Sequence, residues 1–344
     1  MILVSKYKVT MKDIAQHTGY SINTVSQSLR GVYPSKETQE KVVAAANSLG
    51  YIGNSIASSM RLGETRTIAI IQSDISNPYF SRMIRQFVNY LSSENYTAII
   101  YNTDNIFKSE KNAILSAIRH NVDGLLICPD DSYSEKTYQL LKSTKVPYVM
   151  YANDLPYDDV TSVRINEIKG GYLACRHLIK RGCQNIVMLT GNRSINAARL
   201  RLKGYEQALT EHGLPYCQEN VITVPNLFAT QSQDQEEWNT IFSCLSSSSE
   251  FDGIVAYSDQ IALKTLQGLR DNGFDRIPID QIPIVGFDNI LETFPIPLPL
   301  ASISYTEEQA MAVEASRLLI DKIREKKDFK PQKLILDVKL FEHN

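Results

Sequence analysis

The sequence predicts a mixed α/β chain in two unlike parts: an all-helical head over residues 1–53 and a body over 66–344 built from two doubly wound parallel sheets. From Val9 to Leu49 apolar residues recur at helical spacing between capping residues, whereas from Arg66 onward short apolar runs alternate with amphipathic stretches. Runs that are apolar on both sides are strands covered by helices on both faces, the pattern of a parallel sheet. The alternation starts afresh after residue 165, so the body divides into two lobes.

The head opens with a helix over Met11–His17, with Thr10 as N-cap and Asp13 at the third position, where a carboxylate favours a helix N-terminus. Gly19 supplies the left-handed residue that ends it. Ser21 caps a second helix, whose Val25 and Leu29 face Ile14 and Ala15 of the first. Ile22, Asn23, Ser26 and Gln27 are left on its outer face. Such a helix pair sets the N-terminal residues of its second helix against base edges in the major groove; an ordinary helical hairpin has the same pattern. A third helix is capped by Ser35 and stopped by Gly50, with Val42, Val43, Ala46 and Leu49 as its apolar stripe. The polar segment NSIASSMR (54–61) then places Ile56, Ala57 and Met60 at helical spacing, in a piece too short to be helical alone in water.

These residues resemble the lac-repressor family of bacterial transcription regulators (LacI/GalR). The resemblance lies in DIA, TVS, the KVVAAANSLGY block and the Asn-x-x-Ala-x-x segment, and it continues through nearly the whole chain. It implies a helix-turn-helix DNA-binding domain at 1–53, a hinge at 54–65, and an effector-binding and dimerisation body like the periplasmic binding proteins. In that family the chain crosses between lobes three times, here expected near 163–166, 289–293 and 325–332. The N-lobe would hold about 66–163 and 293–325, the C-lobe about 166–289 and 332–344.

Charge agrees with a DNA-facing head. Overall the chain is near neutral at −2, yet residues 1–66 carry eight Lys/Arg against four acids, leaving the remainder at −6. Asn23 can pair with adenine in bidentate fashion, and Ile22 can meet a thymine methyl. Gln27 stands where relatives usually carry an arginine, so adenine recognition replaces a guanine contact or the contact is lost. Thr10, Lys12, Ser21, Thr24, Ser26 and Lys36 are the expected phosphate contacts that set register. In the family the hinge folds on operator DNA and wedges a leucine into the minor groove; Asn54, Ala57 and Met60 stand in that segment, Met60 in the place of the leucine.

In the body, strands are expected at 67–73, 97–101, 124–128 and 148–151, with helices at 79–94, 108–120 and 134–143 between them. The second series has strands at 186–190, 221–224, 253–256 and 282–286, and helices such as Ala198–His212 and Gln260–Asn272. LILDVKLF (334–341) reads as a last strand, with no heptad tail after it, so the expected assembly is a homodimer on a pseudo-palindromic operator.

Ligands of this fold class sit outside the carboxyl ends of the strands, between the lobes. Tyr79 and Phe80 start the helix after the first strand, where aromatic faces can stack on sugars or bases. Arg201 stands where the family places an arginine that reaches ligand oxygens, its donor fork suiting paired hydroxyls or a carboxylate. Asp288 follows the fourth strand of the second lobe and can accept from vicinal hydroxyls. Ser258 sits at a strand tip, Asp259 beside it is either helix cap or ligand contact, and Phe228 is a candidate second wall. The sequence departs from the family at Ala152 and Ile165, where many relatives carry acids; Asn153 or Asp154 substitutes only if its loop shifts.

No dinucleotide or phosphate loop, hydrolase elbow or metal-spaced histidine pair is present, so no enzyme, cofactor or metal is expected. Gly170–Gly171 lacks fingerprint spacing and reads as helix packing. The five cysteines lack a C-x-x-C pair and read as reduced thiols; MILVSKYK is no secretory signal and no run could span a bilayer, so a cytoplasmic protein is expected. The expected function is a sequence-specific transcriptional regulator, foremost a repressor controlled by a small-molecule effector of carbohydrate type; a regulator switched mainly by a phosphorylated carrier-protein partner is the more serious alternative, and a solute-binding protein the other.

Overall fold

The computed structural model describes residues 9–32, 34–51, 64–129, 134–192, 195–225, 232–247, 251–274, 277–278, 281–290, 300–306, 310–325 and 328–342. The chain separates into two compact units, Met1–Thr65 and Arg66–Asn344.

The first unit holds α1 (Met11–Thr18), α2 (Ile22–Leu29) and α3 (Lys36–Leu49). Helix α1 starts at its expected cap: Asp13 Oδ2 accepts both the Thr10 N–H and the Thr10 hydroxyl, each at 2.7 Å. Gly19 ends it at φ +74°. Ser21 Oγ then accepts the Thr24 N–H at 3.0 Å and starts α2 three residues after α1 stops. Ile14, Val25, Val42, Ala45 and Ala46 form the buried core of this unit. The expected stripe of α3 needs one correction, because Val43 is 42% exposed. Positions 42, 45, 46 and 49 share a face at 3.6 residues per turn, whereas 43 is turned about 100° away.

In the second unit, the first sheet takes β1 (Thr67–Gln72), β2 (Thr97–Asn102), β3 (Gly124–Ile127), β4 (Tyr148–Tyr151) and β5 (Ser162–Ile165). Helices α4 (Pro78–Ser93), α5 (Phe107–Arg119) and α6 (Ser134–Thr144) connect the first four. The chain then passes through α7 (Glu167–Lys180), β6 (Ile186–Thr190), α8 (Asn196–Glu211) and β7 (Val221–Thr223). It continues with α9 (Ser232–Ser247), β8 (Gly253–Ala256), α10 (Asp259–Asp271), β9 (Ile284–Phe287) and β10 (Leu300–Ser304). It returns through α11 (Met311–Glu325) to β11 (Lys333–Leu336) and β12 (Lys339–Glu342). The sheet orders are β11-β5-β4-β3-β1-β2 and β12-β10-β9-β8-β6-β7. Every pairing is parallel except β12 on β10.

Two expected lobe boundaries move. Strand β10 pairs with β9, so 300–304 belongs to the second sheet rather than to an N-lobe beginning at 293, and the second crossing follows Ser304. The expected single strand 334–341 is two strands: β11 pairs with β5 of the first sheet and β12 with β10 of the second. The third crossing therefore lies between Leu336 and Lys339, after 325–332. Register explains both shifts, since a strand's sheet is set by its non-local partner, which local apolarity does not name.

Helices α7 and α8 cross closely. A Cβ on Gly171 would lie 2.0 Å from the Arg201 carbonyl oxygen, and one on Gly204 would lie 2.0 Å from that of Ile168. The packing role expected of the Gly170–Gly171 pair is thus real. Of the cysteines, Cys128, Cys175 and Cys183 are buried and all five are free thiols. Among the described residues no helix is long and apolar enough to cross a membrane.

Candidate functional site

On the head, the second helix presents one polar face. Ile22 is 51% exposed, an apolar side chain held in solvent at the start of α2, and Asn23 is exposed beside it. Ser26 and Gln27 lie one turn on and are half-buried. Thr10, Lys12, Ser21 and Lys36 are exposed and Thr24 half-buried. Ser21 and Thr24 share a hydroxyl contact of 2.9 Å, so both hydroxyls are fixed by the cap. The three hinge candidates, Asn54, Ala57 and Met60, lie outside the described residues, as does Phe228.

In the body, a cleft of about 590 Å³ opens between the lobes. Its walls are the carboxyl ends of the parallel strands: Ser73 after β1, Cys128 after β3, Ala152 and Asn153 after β4, Gly191 after β6, Tyr257 and Ser258 after β8. This is where an open parallel sheet binds ligands, because the following helices point their N-termini there. The structure brings Tyr79, Phe80, Arg201, Ser258 and Asp288 together on this one cleft.

Each is positioned by local chemistry. Asn77 accepts the Tyr79 N–H at 2.9 Å and Pro78 opens α4, which sets both aromatic residues at the helix start. Their rings meet edge-to-face at 5.1 Å, and Tyr79 also meets Tyr305 at 6.4 Å. Both rings therefore line the cleft, although Tyr79 is buried and only Phe80 keeps a half-exposed face. Ser258 is the N-cap of α10, accepting the Ile261 N–H at 3.3 Å. Asp259 is turned inward: its carboxylate accepts the Ile290 N–H at 2.9 Å and the Ser302 hydroxyl at 2.8 Å. Burial pushes its pKa well above the ordinary carboxylate value. Asp259 is thus structural, and Gly286 makes room for it, since a Cβ there would lie 2.2 Å from Asp259 Oδ1.

Arg201 is 6% exposed and reaches the cleft from α8. Its Nε donates to Glu167 Oε2 at 2.6 Å, and its Nη1 donates to the Tyr257 carbonyl. The guanidinium lies 3.9 Å from the Phe287 ring centre and 4.7 Å from that of Tyr257. Burial works against its charge, but Glu167 foremost works for it, and its pKa stays above the ordinary arginine value. Arg199, two residues earlier, is exposed and bonds Asn196 at 2.7 Å, as a surface residue would.

Asp288 holds a left-handed backbone at φ +99°, followed by Asn289 at +53°. Such strain in non-glycine residues collects at ligand sites and needs surrounding support. Support comes from the other lobe: Arg82 on α4 donates to the carbonyls of Asp288 and Asn289 at 3.0 and 3.2 Å. Burial first, then Glu167, raises the Asp288 carboxyl to about 6, against the lowering pull of Arg201 and Arg82. On the first lobe Ala152, Asn153 and Ile165 line the cleft. Asp154 is instead held by Arg164 at 3.4 Å and Lys333 at 3.6 Å, so it does not replace the absent acid.

Sequence reasoning missed Glu167, Tyr257 and Arg82. Glu167 carried one usable signal, an acid at the first helical position just beyond a strand's carboxyl end. Arg82 carried none, because its partners are backbone carbonyls far along the chain.

A helix-turn-helix head and a two-lobed body with a polar, aromatic cleft define a DNA-binding regulator that responds to a ligand. Comparison with known proteins agrees. The family model described as "Bacterial regulatory proteins, lacI family" matches residues 10–54, and "Periplasmic binding proteins and sugar binding domain of LacI family" matches 65–344. The chain belongs to the lacI family of bacterial regulatory proteins and is a sequence-specific, DNA-binding transcriptional regulator. It is similar to the HTH-type transcriptional repressor PurR of Vibrio atlanticus (strain LGP32), 29% identical over 325 residues and 92% of each chain. It is also similar to the HTH-type transcriptional regulator DegA of Bacillus subtilis (strain 168), 27% identical over 97% of this chain and 96% of that one. Among solved structures, a complex of the transcriptional regulator CelR with cellobiose matches at TM-score 0.67 and 25% identity, covering 98% of this chain and 99% of that one. The lac repressor dimer bound to operator and the anti-inducer ONPF shares the fold at TM-score 0.79 and 21% identity, again over 98% and 99%.

Proposed function

We propose that this regulator is a cytoplasmic repressor, without catalytic activity or cofactor, whose operator affinity is set by a carbohydrate or carbohydrate derivative held between its lobes. The observation that carries this reading is the cleft itself: Tyr79, Phe80, Arg201, Ser258 and Asp288 converge at the carboxyl ends of two parallel sheets. Aromatic faces beside a carboxylate and a guanidinium suit a ring bearing several hydroxyls. A homodimer sets two heads on a pseudo-palindromic operator. In each head Ile22, Asn23 and Gln27 read bases, while Thr10, Lys12, Ser21, Thr24, Ser26 and Lys36 hold phosphates. Asn54, Ala57 and Met60 enter the minor groove at the centre of the site, and Phe228 is a further effector contact. Effector binding changes lobe closure and thereby operator affinity, by about 5–150-fold for coupling of this kind.

The test is a gel-shift titration of an operator, selected from random duplexes, across a panel of sugars. A reproducible change in affinity with one sugar is the expected result. Affinity unmoved by every sugar, yet raised by a phosphorylated carrier protein, would replace the sugar effector with a protein co-regulator. No preference for any two-fold symmetric duplex would end the reading of the head.

A further inference from the structure

We infer that Glu167 makes the cleft selective for uncharged, hydroxyl-bearing effectors and closes it to phosphorylated or carboxylated ones. The inference rests on the reading of this cleft as the effector site and adds the charge class of its ligand. An arginine in a sugar pocket would ordinarily attract anions, because its fork matches carboxylate and phosphate oxygens in pairs. Here two of the fork's five N–H groups are already engaged. Nε is bound to Glu167 at 2.6 Å and Nη1 to the Tyr257 carbonyl, which leaves Nη2 as the one guanidinium nitrogen without a hydrogen-bond partner among the described residues. The N–H groups left on Nη1 and Nη2 can bond hydroxyl or ring oxygens, but the side-on clamp through Nε that an anion could use is closed by Glu167.

Charge points the same way. Among the described residues that line the cleft, the charged ones are Glu167, Arg201, Glu237 and Asp288, so acids outnumber the single base. Glu167 is 5% exposed and Arg201 6%, so their attraction is poorly screened and Arg201 offers little uncompensated charge to a ligand. An entering phosphate would meet the Glu167 and Asp288 carboxylates in a largely desolvated space. Neutral ring hydroxyls would find acceptors at the same carboxylates.

The pairing is built into the backbone. Glu167 opens α7 and Arg201 lies on α8, and Gly171 and Gly204 allow these two helices to approach until their backbones touch. Glu167 acts both by compensating the charge of Arg201 and by lining the cleft itself, as a specificity-determining residue.

The test uses the full-length protein in three forms: wild type, Glu167→Asp, which keeps the carboxylate, and Glu167→Gln, which removes it. Binding of inorganic phosphate, glucose 6-phosphate and ribose 5-phosphate, each beside the parent sugar, is followed by calorimetry. The fluorescence of Trp238, the single tryptophan and the neighbour of cleft residue Glu237, gives a second readout. Wild type and Glu167→Asp should bind none of the anions. Glu167→Gln should gain about tenfold or more in affinity for phosphate and the phosphate esters, since one charge-assisted pair becomes available. A merely structural Glu167 would weaken every ligand alike and create no anion binding. Saturable binding of any phosphate ester by wild type, or a folded Glu167→Gln with no gain, overturns the inference. If Glu167→Gln does not fold, the wild-type comparison of each sugar with its ester decides alone. These readouts need no operator, so they are separate from the failure of the regulatory reading.

Discussion

Replacing Arg82 by Met should loosen the two lobes and weaken the effector together. Arg82 leaves α4 one turn after the aromatic pair and donates to the carbonyls of Asp288 and Asn289 in the other lobe, at 3.0 and 3.2 Å. Hydrogen bonds from a charged donor are worth ~1.5–3 kcal/mol each when buried. Arg82 is half-buried and water can re-solvate both carbonyls after its removal, so the pair together is worth about 2 kcal/mol. Methionine keeps most of the aliphatic stem, which confines the change to the lost hydrogen bonds. In a body of this size about 2 kcal/mol corresponds to a melting point lower by ~3–4 °C. If the effector binds the arrangement that Arg82 supports, the same energy weakens it by up to ~30-fold. Calorimetric titration of the effector and thermal unfolding of the body are the assays. A variant that melts within a degree of wild type and binds effector with unchanged affinity would refute the coupling of α4 to the Asp288 turn.

Three further outcomes follow from the geometry. The folded Asp288 carboxyl titrates at about 6 rather than near 3.8, so between those values the folded state holds the extra proton. Its contribution to stability therefore falls as pH rises through that window and is flat above it, while effector affinity rises with pH as the carboxylate forms. Asp288→Asn should flatten both profiles, and a wild-type effector titration unchanged between pH 5 and 8 would contradict this assignment. Gly171→Ala or Gly204→Ala puts a methyl 2.0 Å from a backbone carbonyl oxygen that no side-chain rotation can relieve. Either should destabilise the body by ~3 kcal/mol or more in chemical denaturation; an unchanged midpoint would mean that the helices do not cross so closely. Asn23→Ala should relax one operator position at a cost of ~1–3 kcal/mol, visible by selection on randomised sites, and an unaltered selected site would remove Asn23 from base reading.

Local chemistry in the sequence carried most of the elements. Strands such as β3, β4, β6 and β8 lie within a residue of the apolar runs that foretold them, and the caps at Thr10, Ser21 and Ser35 begin their helices as expected. What the sequence withheld is non-local. Nothing in LASIS says that Leu300–Ser304 pairs with β9, and LILDVKLF does not announce that Asp337 and Val338 divide it between two sheets. The cleft shows the same division. Arg201, on a helix facing the cleft, and Asp288, just past a strand end, could be placed by resemblance and position, whereas Glu167 and Arg82 matter for partners 34 and more than 200 residues away.

The chain passes from the first sheet to the second twice within a few ångströms. Strand β5 ends at Ile165 and α7 begins at Glu167, while β11 ends at Leu336, paired with Ile165, and β12 begins at Lys339. The Asn166 N–H donates to the Leu336 carbonyl at 2.9 Å, tying the two passages to each other. Two residues of extended chain reach only about 7 Å. Two such short tethers, laid side by side, behave like the leaf of a door: they permit a swing and forbid a slide. Whatever fills the cleft can therefore report its presence only as an angle.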